Sequence, residues 1–169
     1  MAVLYAKTAP GGDTIPPETW QRDGDPLFIW EPPASGLELA GYSYAIDATP
    51  DDVVETTATS FDVAVGRTVL SAGQHTFSVV AVNSAGNVGK PVSFALWVDA
   101  LAPSVGAITP AAGALVNSRT PTVRIETIEE HSGVKDETLE LLINGSPVEA
   151  AYDATTRTIT ATPVGAFQE

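Results

Sequence analysis

The chain has 169 residues, with 8 Lys plus Arg against 21 Asp plus Glu and no cysteine, giving a formal charge of −13. Such a surface repels nucleic-acid phosphates and anionic membranes, and the lack of thiols excludes disulfides, zinc knuckles, covalent haem attachment and a cysteine nucleophile. Hydrophobic residues at 44% and charged residues at 17% describe a folded globular chain rather than a disordered acidic tail, with no apolar run near the ~20 residues of a membrane helix.

The first twelve residues lack the basic start and apolar stretch of a signal peptide and read as an extended segment or linker, 1–12, in which Ala2-Val3-Leu4-Tyr5-Ala6 is apolar and strand-prone. Across the chain 14 Gly and 13 Pro punctuate short stretches of Val, Thr, Ile, Phe and Tyr, and both punctuating residues oppose helix interiors. Residues 27–30 are a strand candidate. Period-two alternation follows over 42–46, 61–65 and 76–82, each placing apolar side chains on one face. Further strands are expected over 92–98 and 122–126. Residues 128–142 are rich in Glu and Leu, but Ser132-Gly133 interrupts them, so a loop followed by a strand over 139–143 is expected. Asn144-Gly145 then offers the positive φ of a tight hairpin, and 156–161 forms the last strand.

Many short strands spaced about 8 to 12 residues apart indicate an antiparallel sandwich. Asp13-Thr14-Ile15-Pro16-Pro17 and Asp99-Ala100-Leu101-Ala102-Pro103 share one Asp-x-x-x-Pro frame, 99 − 13 = 86 residues apart, and each precedes a second Pro-led strand. A period of that size is one small sandwich. The expected fold is therefore all-β: two tandem antiparallel β-sandwich modules, 13–99 and 100–169.

Trp30-Glu31-Pro32-Pro33, Gly41-Tyr42-Ser43-Tyr44 and the Ala-x-Asn-x-x-Gly turn ending at Gly86 follow one another in an order and spacing that resembles a bacterial fibronectin type III domain. Where that family usually closes a corner with a tyrosine hydroxyl bonded to backbone, this chain has His75, which must substitute through an imidazole N–H or leave the corner looser. Asp99 to Pro103, Ser132-Gly133-Val134, Ile143-Asn144-Gly145 and the Tyr152-Asp153-Ala154-Thr155-Thr156 turn resemble a bacterial immunoglobulin-like repeat. Laid on the first module, the second lacks the counterpart of residues 71–98, its last two strands.

Candidate chemistry is sparse. His75 opens a strand, His131 sits in the acidic loop Glu129-Glu130-His131, and no Gly-x-Ser-x-Gly elbow occurs. Asp51-Asp52 and Glu129-Glu130 read as solvated loop charge, and Gly11-Gly12 lacks a following helix for phosphate binding. Calcium, which takes six to eight oxygens, is the ligand the composition suits: Asp13 and Asp99 open the modules, and Asn83 and Asn87 occupy a turn that in such tandem repeats is expected near the next linker. The alternative reading makes Asp99 a turn cap and Asn83 a left-handed backbone position. Lys7, Lys90 and Lys135 read as solvated rather than as partners of an Asn in an autocatalytic amide, and Asn144-Gly145-Ser146 reads as a hairpin turn before a glycosylation acceptor. Trp30 and Trp97 belong to a core or a module interface, while Trp20 stays open as a sugar-stacking surface.

The resemblance implies a non-catalytic structural, spacer or adhesive module pair of a secreted or cell-surface bacterial protein, with any export signal outside this chain. Its partners would be neighbouring domains or subunits, or a protein or carbohydrate surface ligand, with no nucleic acid and no membrane insertion. Two alternatives stand beside it. One is a subunit of an extracellular filament assembled by strand donation, with residues 2–6 as donor; the other is an accessory module of an extracellular polysaccharide-degrading enzyme.

Overall fold

The computed structural model describes residues 4–34, 38–66 and 69–163. The chain is nearly all β and divides into two compact units, 1–101 and 102–169. The expected boundary lay between residues 99 and 100, and the division follows Leu101.

The first unit contains β1 (Leu4–Lys7), β2 (Thr14–Ile15), β3 (Trp20–Gln21), β4 (Leu27–Trp30), β5 (Leu39–Ile46), β6 (Ser60–Asp62), the helical turn α1 (Val63–Gly66), β7 (Gly73–Asn83) and β8 (Val92–Val98). They form two four-stranded sheets, ordered β2-β1-β4-β6 and β3-β8-β7-β5. Alternation explains how the two faces meet. Ala6, Ile15, Phe28 and Trp30 of the first sheet and Tyr42, Phe77, Val79, Phe94, Leu96 and Val98 of the second are buried in one shared core. Phe77 is its hub: its ring stacks on Phe28 at 4.1 Å between centroids and lies 5.9 to 6.0 Å from Tyr44, Trp30 and Phe61. Trp30 meets Tyr42 edge-on at 5.4 Å, as its expected place on the core face of the second strand candidate requires.

Three expectations need correction. Residues 4–7, read as linker, are a strand of the first sheet, held between β2 and β4 with Leu4 opposite Trp30 and Lys7 opposite Leu27. Ala6 is fully buried there, and Leu4 to Ala6 pair within their own unit. Ala2 and Val3 lie outside the described residues. The alternation over 61–65 is not one strand, since β6 ends at Asp62, whose Oδ1 accepts the N–H groups of Ala64 at 3.0 Å and Val65 at 3.4 Å. That cap starts a helical turn. The third correction concerns direction: β3 pairs with β8 in parallel, Trp20 with Trp97 and Gln21 with Val98, after Pro16-Pro17 have carried the chain between the sheets.

The second unit contains β9 (Ser104–Thr109), β10 (Val123–Ile128), β11 (Leu141–Ile143), β12 (Ser146–Val148), β13 (Ala150–Asp153) and β14 (Thr158–Ala161). Four of them form an antiparallel sheet ordered β13-β14-β10-β9, and β11 pairs with β12 as a separate hairpin. The hairpin turn is Asn144-Gly145, with φ of 52° and 79°, the two positive angles such a turn demands. Residues 129–140 form a loop with a single 3₁₀ turn at Asp136–Thr138 before β11. Ile125, Ile159, Ala161 and Pro163 are the buried apolar side chains of this unit among the described residues, beside Thr127, whose hydroxyl donates to the Arg157 carbonyl at 3.0 Å.

Candidate functional site

The polar side chains singled out in the sequence are mostly engaged in closing turns. At the end of β5, Asp47 adopts φ of +56°, a left-handed position that Asp tolerates. From there its carboxylate reaches across to the start of β7. Oδ1 accepts the Thr76 N–H at 2.8 Å and Oδ2 lies 2.7 Å from His75 Nδ1, while His75 Nε2 lies 2.9 Å from the Ser71 carbonyl oxygen. His75 thus bonds to backbone four residues upstream, through a ring N–H in place of a hydroxyl. Partial desolvation opposes the charged imidazole, but its hydrogen bonds to Asp47 and Ser71 and the Asp47 charge outweigh this and raise its pKa above 6.5. Desolvation likewise pushes Asp47 up, and bonds from His75 and Thr76 with the imidazolium charge bring it below 3.8. The pair resembles half of a hydrolytic triad, yet the second ring nitrogen faces a carbonyl rather than a hydroxyl nucleophile.

The remaining candidates follow the same pattern. Asn83 Oδ1 accepts the N–H groups of Ala85 at 3.0 Å and Asn87 at 2.9 Å, fastening the turn after β7. Asp99 Oδ1 accepts the Leu101 N–H at 3.2 Å. The Asp13 carbonyl accepts the Thr8 N–H at 3.0 Å in the turn joining β1 to β2. Asp51 holds the Val53 N–H at 2.8 Å and the Ser43 hydroxyl at 3.3 Å, and Glu129 Oε1 accepts the His131 N–H at 2.7 Å. Lys135 pairs in solvent with Glu137 at 3.4 Å.

Register separates the proposed calcium ligands. Val98 pairs with Gly73 and Gln21, and the Leu70 N–H donates to the Gly24 carbonyl, so Asp99 lies at the pole of the first unit where β7 and β4 begin. Asp13 lies toward that pole too, just beyond the Lys7–Leu27 pair. Asn83 and Asn87 lie at the other pole, because β7 runs eleven residues from Gly73 to Asn83, or ~33 Å at ~3.3 Å per residue. Calcium–oxygen distances are ~2.3 to 2.6 Å, so these four residues cannot share an ion. The turn after β7 was expected at the pole by the next linker, whereas it is β8 that crosses back to reach that pole.

Trp20 and Trp97 contact each other with centroids 5.3 Å apart and planes tilted by 54°. Two open hollows of about 700 Å³ also mark the first unit. One is lined by Leu39, Ala81, Val88, Pro91 and Val92, the other by Leu4, Ile15, Pro16, Pro17 and Phe94. The sequence reading missed Asp47 and Ser71 as partners of His75; an acidic residue directly after the β5 alternation was the available sign. No family model matches the chain, and no curated protein matches it in sequence.

Proposed function

We propose that this chain is a non-catalytic spacer, a fibronectin type III-like module followed by an immunoglobulin-like one, that carries tension within a secreted or surface-attached protein. The observation behind this reading is the route of the chain through the first unit. It arrives at Leu4, opposite Trp30 and so at the level of Tyr42 and its partner Ala81, and it departs at Val98 opposite Gly73. Arrival and departure therefore lie at opposite poles, ~26 Å apart along β7 at ~3.3 Å per residue. A unit threaded in this way transmits load from end to end.

Both terminal strands take that load in shear. Tension on the N-terminal side draws β1 lengthwise along β4, and β3 and β8, being parallel, slide past each other when pulled from opposite ends. The Glu18 N–H to Ala95 carbonyl bond at 3.0 Å and the Asp99 N–H to Gln21 carbonyl bond at 2.7 Å flank the β3–β8 pair, so several hydrogen bonds must break together. The strand orders support the family resemblance: β1-β4-β6 and β5-β7-β8 follow the A-B-E and C-F-G pattern, and β9-β10-β14-β13 follows A-B-E-D.

Single-molecule extension tests the proposal. Pulled through its termini, the first unit should open in one event that lengthens the tether by about 300 Å, the extended span of residues 4–98 less the folded separation. A second pulling geometry uses Lys90→Cys as a unique handle, since the chain has no other cysteine. Load applied between the N-terminus and position 90 leaves β8 outside the tensioned path and should open the unit at a clearly lower force. Equal opening forces in the two geometries would overturn the load-bearing reading.

A further inference from the structure

The clasp around His75 has a property that the spacer reading does not require. Each ring nitrogen lies within hydrogen-bond distance of an atom that only accepts: the Asp47 carboxylate at 2.7 Å and the Ser71 carbonyl at 2.9 Å. A neutral imidazole has one N–H and one lone pair, so it can satisfy one of these partners while its lone pair faces the other. Filling both bonds takes one further proton. Its location follows from the other contacts: the Asp47 side chain is half exposed and already accepts the Thr76 N–H through Oδ1, which favours the carboxylate and places the proton on the ring. The imidazole side chain is only 11% exposed, so water does little to replace a lost partner.

We propose that the Asp47–His75–Ser71 clasp is a proton-operated latch of the first unit, shut while the imidazole holds both protons and loosened when it gives one up. Three segments meet there. Asp47 directly follows β5, His75 and Thr76 lie near the start of β7, and Ser71 belongs to the stretch between α1 and β7, which is tied at Leu70 to the Gly24 carbonyl by a 2.8 Å bond. On β8 the residue opposite His75 is Leu96, which is uncharged. Asp47 is the charged group acting on the imidazole among the described residues. The latch therefore answers to one proton and one carboxylate, at the pole where the chain leaves the unit.

The sign follows from linkage. The folded ring holds its proton more tightly than the unfolded ring, so the stabilisation is complete below pH 6.5 and is lost as pH rises through the higher folded value. For one proton, the folding equilibrium constant falls by at most about tenfold per pH unit.

The test uses the whole chain. All three tryptophans, Trp20, Trp30 and Trp97, lie in the first unit, so their fluorescence in urea reports its unfolding between pH 6 and 9. Imidazole nitrogen shifts from NMR, with His131 as the second histidine, report ring protonation directly. The expected result is a His75 ring that titrates above its ordinary value, a urea midpoint that falls as pH rises through that titration, and a flatter profile in His75→Tyr, whose hydroxyl does not titrate there. A His75 that titrates at or below its ordinary value overturns the proposal, as does a descent of equal slope in wild type and His75→Tyr. Should His75→Tyr fail to fold, Asp47→Asn decides: it removes the carboxylate charge and should move both the ring titration and the descent to lower pH, and an unmoved titration refutes the latch.

Discussion

Phe77 is the side chain whose removal the first unit should tolerate least. It is 1% exposed and its ring touches four others: Phe28, Trp30, Tyr44 and Phe61. Phe77→Ala empties a buried aromatic site in a core drawn from two sheets, which costs about 3 to 5 kcal/mol when the walls cannot collapse. The walls here are strand-borne rings of both sheets, so the upper half of that range is expected. Phe77→Leu keeps most of the volume but loses the stack, and each aromatic pair adds about 0.5 to 1.5 kcal/mol beyond burial. The tightest pair is with Phe28, at 4.1 Å and 5° between planes. A double-mutant cycle with Phe28→Leu and Phe77→Leu should thus return a coupling of about 1 kcal/mol. Urea unfolding followed by tryptophan fluorescence measures all of these variants. With a slope of about 2 kcal/mol per molar urea, Phe77→Ala should lower the midpoint by about 2 M. A fall below about 0.5 M, or a coupling indistinguishable from zero, would refute the view that the two sheets are joined through this ring.

A methyl group at Gly41 would meet the Val54 side chain and lie 2.7 Å from the Thr56 carbonyl oxygen, so Gly41→Ala should destabilise by about 1 to 3 kcal/mol, read as a lower melting temperature. Asn83→Ala removes the acceptor of two backbone N–H groups and should cost about 1 to 2 kcal/mol, whereas Asn83→Asp keeps the oxygen and should stay near wild type in the same melts. At the acid end, Asp47 has a folded pKa below 3.8, so the stability it supplies is present above that value and is lost as pH falls through the folded pKa. Asp47→Asn should remove that acid-side loss, as judged by urea midpoints between pH 5 and 2.

The long strands were legible because their side chains alternate over enough residues to be read alone. Val92–Val98 emerged with its expected bounds, and Trp30 lies where alternation places it, against Tyr42 and Phe77. Leu27–Trp30 was also read with its bounds, but strands of two residues were not legible. Trp20–Gln21 and Thr14–Ile15 have no period to detect and exist because a longer neighbour supplies the hydrogen bonds. Residues 61–65 misled because one capping carboxylate can turn a two-residue period into a helical turn. The His75 substitution was visible in the chain, yet its acceptor pair was not. Asp47 is 28 residues away, and only the pairing of β5 with β7 brings them together.

The parallel contact of Trp20 with Trp97 joins residues 97 − 20 = 77 positions apart, and this bears on how the protein is made. During synthesis β3 leaves the ribosome long before β8, its partner in the sheet, exists, so the first unit spends most of its translation with one sheet edge open. Pairings of such long range place a chain among the slower folders, in the millisecond-to-second range. Two residues of β3 followed by the polar turn at Arg22-Asp23 present little for another nascent chain to pair with during that interval, since a short strand flanked by charge is a poor template for aggregation.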